Sequence, residues 1–407
     1  MNVLMISHTP LFPPGSGVVR RNLHLLLEIA KEHSVSVLVL GAGHDAKGFR
    51  EQHGGMFRTV VTEDVRNVGW RRVLRVCLYI LTGWGWVRHW HTKRVQAAID
   101  RLCADSPPDI VHITNPLIRM YRFPPSARVV ADAHNVEYDN LLRVAEESRG
   151  IVRRLFFRAF AWRLKHEEAL SCQRCDVVMA VSERDRSFFR RMAPATQIAL
   201  IPNGVDLSEF VPMPGRRRPN SLLFVGMMDY QPNDTGIQYF LSTIFPLIRQ
   251  RVPEAHLAIV GGNPSQAVRN AASPSVRVTG FVDDVRPYME ECSVFVVPLY
   301  AGGGTRLKLL EAMAMGVPAV STSLGCEGLD VRHNTHLLVA DSPEAFSDAV
   351  VRLLHDPSLR NTLSAQALAA VHAEHGWDRI GGTLLELYAS LVTHSVRRQQ
   401  PVRSAVA

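Results

Sequence analysis

Cysteine is scarce in this sequence, with six in 407 residues, and the one close pair, Cys172 and Cys175, has no second pair to complete a zinc site. That excludes a disulfide framework and leaves these two thiols as small apolar residues at a helix-to-strand junction. Long hydrophobic runs are missing as well. The longest apolar window, residues 73–87, is interrupted by Arg75 and falls short of the roughly 20 residues that span a bilayer, though it could lie on one. The opening MNVLMISHTP has no basic n-region and runs straight into a buried-strand pattern, so no secretory signal is expected and the protein is expected in the cytosol. There is no low-complexity tract, which confines expected disorder to the ends, chiefly a tail over 396–407.

What the chain has is length and alternation. It exceeds the roughly 250–300 residues at which one hydrophobic core stops growing, so two domains are expected. At 46% hydrophobic and 21% charged residues it is globular in composition, and its net charge of +8 suits an anionic partner: nucleic acid, phospholipid or sugar nucleotide. Short β-branched runs alternate with helical stretches, the pattern of βαβ units and parallel sheets. Strands are expected at 2–7, 35–40, 109–114, 128–134, 176–182 and 198–202, then at 221–226, 256–261, 276–280, 293–299, 318–323 and 336–340. Between these sets, FVPMPGRRRPN (210–220) breaks both periodicities with prolines, a glycine and a charge run. Each half opens with a strand and a glycine-bearing loop. The expected fold is α/β, with two Rossmann-like doubly wound domains facing each other across a cleft. Their expected extents are 1–207 and 221–377, joined by a linker over 208–220, with a C-terminal helix around 378–395 packing back on the first domain.

The stretch AGGGTRLKLLEAMAMGVPAV (301–320) follows a strand pattern and places Gly302, Gly303, Gly304 and Thr305 before an apolar helix. Arg306 and Lys308 fall in its first turn, where each costs roughly 0.3–1 kcal/mol against the helix dipole unless an anion sits nearby. Glycines admit close backbone approach and free N–H groups face outward, so the pattern is that of a phosphate site. Lys308 and Glu311 share a helix face, where Lys308 would reach a diphosphate and Glu311 would accept from sugar hydroxyls. The alternative, a surface helix on which the two residues pair with each other, explains neither the glycines nor the basic turn.

With PPGSG (13–17), DAHNVE (132–137), IPNGVD (201–206), VGMMDYQPN (225–233) and GFVDDVRPYMEECSVFVVPL (280–299), this run resembles the retaining GT-B glycosyltransferases, the large class often called family 4. The resemblance implies a nucleotide sugar held mainly by the second domain and an acceptor held mainly by the first. Glu311 matches the second glutamate of that family's E-x7-E motif, which binds the ribose; the first, which touches the transferred sugar, is replaced by Gly303. The Arg and Lys that many members carry after the first strand of the second domain are absent, and Arg306 and Lys308 are expected to replace them, as in a TRLK branch. By the same resemblance His134 lies near the donor sugar, the backbone around Phe281 and Val282 contacts the base, and Gly226 joins the donor-binding set.

Other motifs read more simply. Gly15 and Gly17 form a loop that can bring N–H groups to a donor phosphate or sugar. Arg20 and Arg21, just beyond, face either acceptor phosphate or solvent. Asp283 and Asp284 are expected to cap the next helix, Glu137 either joins His134 at the site or caps a helix, and Asn203 and Gly204 shape a turn. Residues 67–94 hold four of the six tryptophans beside arginines, and 149–165 is a second basic apolar stretch. Both suit an anionic membrane surface and a lipid-linked acceptor, with interdomain packing the competing reading and no nucleic-acid fold to support a third.

The expected activity is therefore transfer of a sugar from a nucleotide-diphosphate sugar to a glycan or lipid-linked acceptor, in polysaccharide or other cell-envelope synthesis. It needs no cofactor and no metal. The alternatives are a catalytically silent nucleotide-sugar-binding subunit, suggested by Gly303, and a sugar-nucleotide epimerase of the same architecture, which would need flanking carboxylates that are not evident.

Overall fold

The computed structural model describes residues 1–399 except 14, 41–44, 64–92, 119, 149 and 214. The chain divides into two units, Met1–Pro202 together with the segment from Asp378, and Asn203–Trp377.

The first unit holds a parallel sheet of β1 (Asn2–Ser7), β2 (Ser34–Val39), β3 (Thr59–Thr62), β4 (Ile110–Ile113), β5 (Arg128–Ala133), β6 (Val177–Ala180) and β7 (Gln197–Leu200), in the order β3-β2-β1-β4-β5-β6-β7. The second holds β8 (Ser221–Val225), β9 (His256–Val260), β10 (Val276–Gly280), β11 (Val294–Val297), β12 (Ala319–Ser321) and β13 (Leu338–Val339), in the order β10-β9-β8-β11-β12-β13. All described pairings are parallel. Helices cover both faces of such a sheet, so central strands read as continuous apolar runs, and β4, β6 and β11 are buried at every position. Strand order reverses between β1 and β4 and again between β8 and β11. The carboxyl ends of strands at such reversals are where open α/β sheets bind ligands.

One strand escaped the periodicity. Edge strand β3 is four residues long with no fully buried position, so it offers no apolar run to read. The division falls at Pro202 rather than within the expected linker 208–220, so the described residues from 203 on are grouped with the second unit. Val205 N–H donates to His375 O at 2.8 Å, Phe210 lies in the second core, and the Arg217 guanidinium donates to Gly316 O. The prolines there break periodicity without freeing the chain.

The last helix, Trp377–Gln399, belongs to the first unit from Asp378 on. Its Tyr388 is fully buried with its hydroxyl 2.5 Å from His112 Nδ1 on β4. Gly381 lies so close to the helix Gly17–Glu32 that a Cβ there would come within 2.6 Å of Glu28 Cγ. Residues 396–399 of the expected tail are thus helical, and 400–407 lie outside the described residues.

Of the first basic apolar stretch, 67–94, only Lys93 and Arg94 are described; the rest lies outside the described residues. The second forms the start of the helix Ile151–Cys172. Ile151, Val152, Leu155 and Trp162 are 74%, 79%, 58% and 68% exposed, interleaved with exposed Arg153, Arg154, Arg158 and Lys165. Among the described residues no helix is long and apolar enough to cross a membrane.

Candidate functional site

In the second unit, β11 leads through a glycine loop into the helix Leu307–Ala314, whose Leu309, Leu310, Ala312, Met313 and Ala314 are buried. Gly302 and Gly304 take φ of +86° and +82°, which an L side chain rarely adopts. Behind the loop, Asn203 donates its amide to Thr305 Oγ1, so the turn expected from IPNGVD also fastens the glycine loop.

Arg306 occupies the N-cap position of this helix without capping it. Its side chain is buried, its Nη1 donates to Gly303 O at 2.5 Å, and neither Nε nor Nη2 has a hydrogen-bond partner among the described residues. A buried guanidinium with unused donors costs free energy unless an anion completes it. Lys308, two residues on, turns to the carboxyl end of β8. Its ammonium donates to Val225 O and Asn233 Oδ1, both at 2.8 Å, and sits 4.5 Å from the centroid of the Phe224 ring. Burial, and next the Arg306 charge, pull Lys308 down to about 7, with Glu311 opposing. Glu311, one turn along the helix, is buried.

The end of β8 is built for this approach. A Cβ on Gly226 would come within 2.8 Å of Asn233 Nδ2 and 2.9 Å of Lys308 Nζ, so only glycine lets both side chains reach the strand end. Phe281 is 67% exposed, whereas Val282 packs against the core. Asp284 accepts from Arg286 N–H at 2.9 Å at the start of the helix Arg286–Glu291, and it also accepts from Arg286 Nε at 2.9 Å, the side-chain bond that chiefly holds its carboxyl below the usual range.

In the first unit, β5 carries Asp132 next to its last residue, Ala133, and leads to His134. The His134 ring nitrogens are buried and form no hydrogen bond among the described residues, and Nδ1 is 3.9 Å from Asp132 Oδ2. Burial lowers its pKa, with the Asp132 carboxylate pulling the other way. Arg21 faces neither an acceptor phosphate nor solvent. It is buried against Asp132, with Nε to Oδ2 at 2.9 Å and Nη2 to Oδ1 at 2.8 Å, and it also donates to the carbonyls of Ile201 and Pro202. His8 and His112 complete a buried imidazole group around β1 and β4, each driven down to about 4 by burial first. Gly15 is exposed with open space around it, and Gly17 begins the helix Gly17–Glu32, capped by Ser16. Glu137 stands at the start of the helix Glu137–Glu147, but the cap comes from Glu168, which accepts from the N–H groups of Glu137 and Tyr138 at 2.9 and 3.0 Å.

The structure therefore brings Lys308 to the end of β8, sets Arg306 against Gly303 in the glycine loop, and buries Glu311 on the same helix. The sequence reading passed over Asn233, whose signal was the QPN segment following a strand and glycine, and Asp132 as the partner of Arg21. Among the described residues no group of three or more His, Cys, Asp or Glu is placed to hold a metal ion.

Two all-parallel doubly wound domains, each with a glycine loop and helix after its first strand, define the GT-B architecture of nucleotide-sugar glycosyltransferases. Residues 15–209 match the family model described as Glycosyltransferase Family 4, and residues 219–356 match that of Glycosyl transferases group 1. The two matches together extend over both units, and the fold is that of the GT-B glycosyltransferases. A GDP-mannose-dependent alpha-(1-6)-phosphatidylinositol monomannoside mannosyltransferase of Mycobacterium tuberculosis is 31% identical over 239 residues, 52% of this chain and 61% of that protein. The chain thus spans less than two thirds of the length of that relative. Among solved structures, the sucrose-phosphate synthase (tll1590) from Thermosynechococcus elongatus superposes with a TM-score of 0.72 at 19% identity, over 97% of this chain and 100% of that one. Anabaena Alr3699/HepE, solved in complex with UDP, gives 0.69 at 15% identity, over 96% and 100%.

Proposed function

We propose that this chain transfers a sugar, a hexose such as mannose or glucose, from a nucleoside-diphosphate donor to a hydroxyl of a glycolipid or other cell-envelope glycan, with retention of anomeric configuration. The observation that carries the proposal is Arg306, a buried guanidinium with two unused nitrogens beside Lys308 at a helix N-terminus. That is a site for a doubly charged group rather than for a neutral one. The family match gives the anion its class, a nucleotide sugar.

In this reading Arg306, Lys308 and the helix end stabilise the charge that develops on the departing diphosphate, so no metal is required. Glu311 accepts from the ribose hydroxyls, the backbone near Phe281 and Val282 meets the base, and Gly15 and Gly17 present N–H groups to the phosphate. His134, kept neutral by its burial, hydrogen-bonds the donor sugar. The bond from the anomeric carbon to the phosphate oxygen breaks, a bond to the acceptor oxygen forms on the same face, and the acceptor proton passes to the leaving phosphate. No protein base is needed for that step. The exposed apolar and basic start of the helix Ile151–Cys172 suits an anionic membrane surface carrying a lipid-linked acceptor.

The test is donor turnover. Purified protein is screened against UDP-glucose, GDP-mannose and related donors for thermal stabilisation, then assayed for release of nucleoside diphosphate with and without glycolipid acceptors. Acceptor-dependent release, unaffected by a chelator, is expected. Clear binding without turnover under all conditions would instead make the chain a silent nucleotide-sugar-binding subunit.

A further inference from the structure

Only five of the chain's 46 basic residues are lysines, and one of them is placed where its ammonium meets the end of β8. An arginine there would stay charged under all conditions, whereas a lysine can titrate. Its neighbours govern what that ammonium does. Asn233, in the first turn of the helix Gln231–Tyr239, is buried and held from both ends: Nδ2 donates to Met227 O at 2.8 Å, and Oδ1 accepts from Lys308 at 2.8 Å. Because one end meets a carbonyl and the other an ammonium, only one amide orientation satisfies both. With Val225 O taking a second N–H, one of the three Lys308 donors is left for a ligand.

We propose that Asn233 is a positioning residue that fixes the Lys308 ammonium at the end of β8 while, as a neutral acceptor, adding no negative charge that would compete with the donor diphosphate. This rests on the diphosphate reading of the site. A carboxylate at the same place would also anchor the ammonium, but it would neutralise the charge the anion needs. The charged groups facing Lys308 are Arg306, which disfavours its protonation, and Glu311, which favours it; Phe224 and Asn233 are uncharged. Burial and Arg306 hold Lys308 down to about 7, so a diphosphate bound beside it favours uptake of a proton near neutral pH.

The experiment compares the full-length protein with Asn233→Asp and Asn233→Ala. Lysine side-chain NMR on protein labelled at its few lysines, with Lys308 assigned through Lys308→Arg, gives the Lys308 titration without any ligand. Asn233→Asp is expected to move that titration up by about one pH unit or more. Calorimetric titration with UDP and with GDP, in two buffers of different ionisation heat, gives affinity and proton uptake. Wild type is expected to take up a proton near neutral pH; Asn233→Asp is expected to lose that uptake and bind on the order of tenfold more weakly, with Asn233→Ala in between but retaining uptake. A Lys308 titration unmoved by Asn233→Asp would overturn the proposal, as would affinity and uptake indifferent to both substitutions, or equal losses in both with uptake unchanged. Absence of nucleotide binding by wild type defeats the diphosphate reading instead, and the NMR arm still decides whether Asn233 governs Lys308.

Discussion

Arg21 and Asp132 form a fully buried ion pair, 111 residues apart in sequence, that joins the helix Gly17–Glu32 to the end of β5. Arg21 also bonds the carbonyls of Ile201 and Pro202, so all its charged edges are used, and the pair holds the Asp132 carboxyl below its usual range despite burial. Removing one partner leaves an uncompensated buried charge. Asp132→Ala is expected to cost about 3–5 kcal/mol, whereas Arg21→Met combined with Asp132→Leu should recover much of that loss. Urea denaturation with hydrogen exchange at the β5 amides measures both; a cost below about 1 kcal/mol for the single variant contradicts this account.

Stability and affinity should move in opposite directions at Arg306. Replacing it with methionine removes a buried guanidinium with two unpartnered nitrogens, so the ligand-free protein is expected to gain about 1–3 kcal/mol. Nucleoside diphosphate affinity should fall by roughly 10–100-fold, the worth of charge-assisted hydrogen bonds. Thermal unfolding and calorimetry on the same preparation test the pair of effects, and a variant that loses both marks Arg306 as structural.

The buried Glu168 ties the stability of the first unit to pH. Burial first, and the nearby Glu137 second, push its carboxyl up to about 8, against the backbone N–H groups of Glu137 and Tyr138. The folded state therefore binds more protons than the unfolded chain between the ordinary carboxylate range and about 8. This contribution is complete at low pH and is lost as pH rises through that folded value. Stability should decline by on the order of a few kcal/mol from pH ~5 to ~8.5, and Glu168→Gln should flatten the decline. Unfolding midpoints across that range are the measurement.

Serine at Ile151, Val152, Leu155 and Trp162 should abolish binding to phosphatidylglycerol vesicles while leaving the melting temperature nearly unchanged, because these side chains are exposed. Burying each in a membrane is worth about 1.5–3 kcal/mol, and the adjacent arginines add about 1 kcal/mol apiece on an anionic surface only. Co-sedimentation with anionic and with neutral vesicles tests it; equal binding by the variant and the wild type removes this face from the account.

Strands were legible where both sheet faces are covered, because burial then writes an unbroken apolar run into the sequence; half-exposed β3 carries none. The Arg306–Lys308–Glu311 group was legible because its glycines, charges and helix are consecutive. Asn233 was not, since it meets Lys308 from 75 residues away. Arg21 misled for the same reason: within its helix it is one more basic residue, and only the fold supplies the carboxylate 111 positions on. The linker misled differently, since prolines end periodicity whether or not a chain is fastened to a core, as Phe210 is.

The contact between Tyr388 and His112 also bears on how such a chain can be recombined. The second unit is an insertion within the first, entered after Pro202 and left after Trp377. A chimera that joins this first unit to a foreign second unit at one crossover would carry the wrong final helix and bury His112 without its hydroxyl partner. A second unit is exchanged cleanly only as a cassette with two junctions, in which the native terminal helix stays with the first unit.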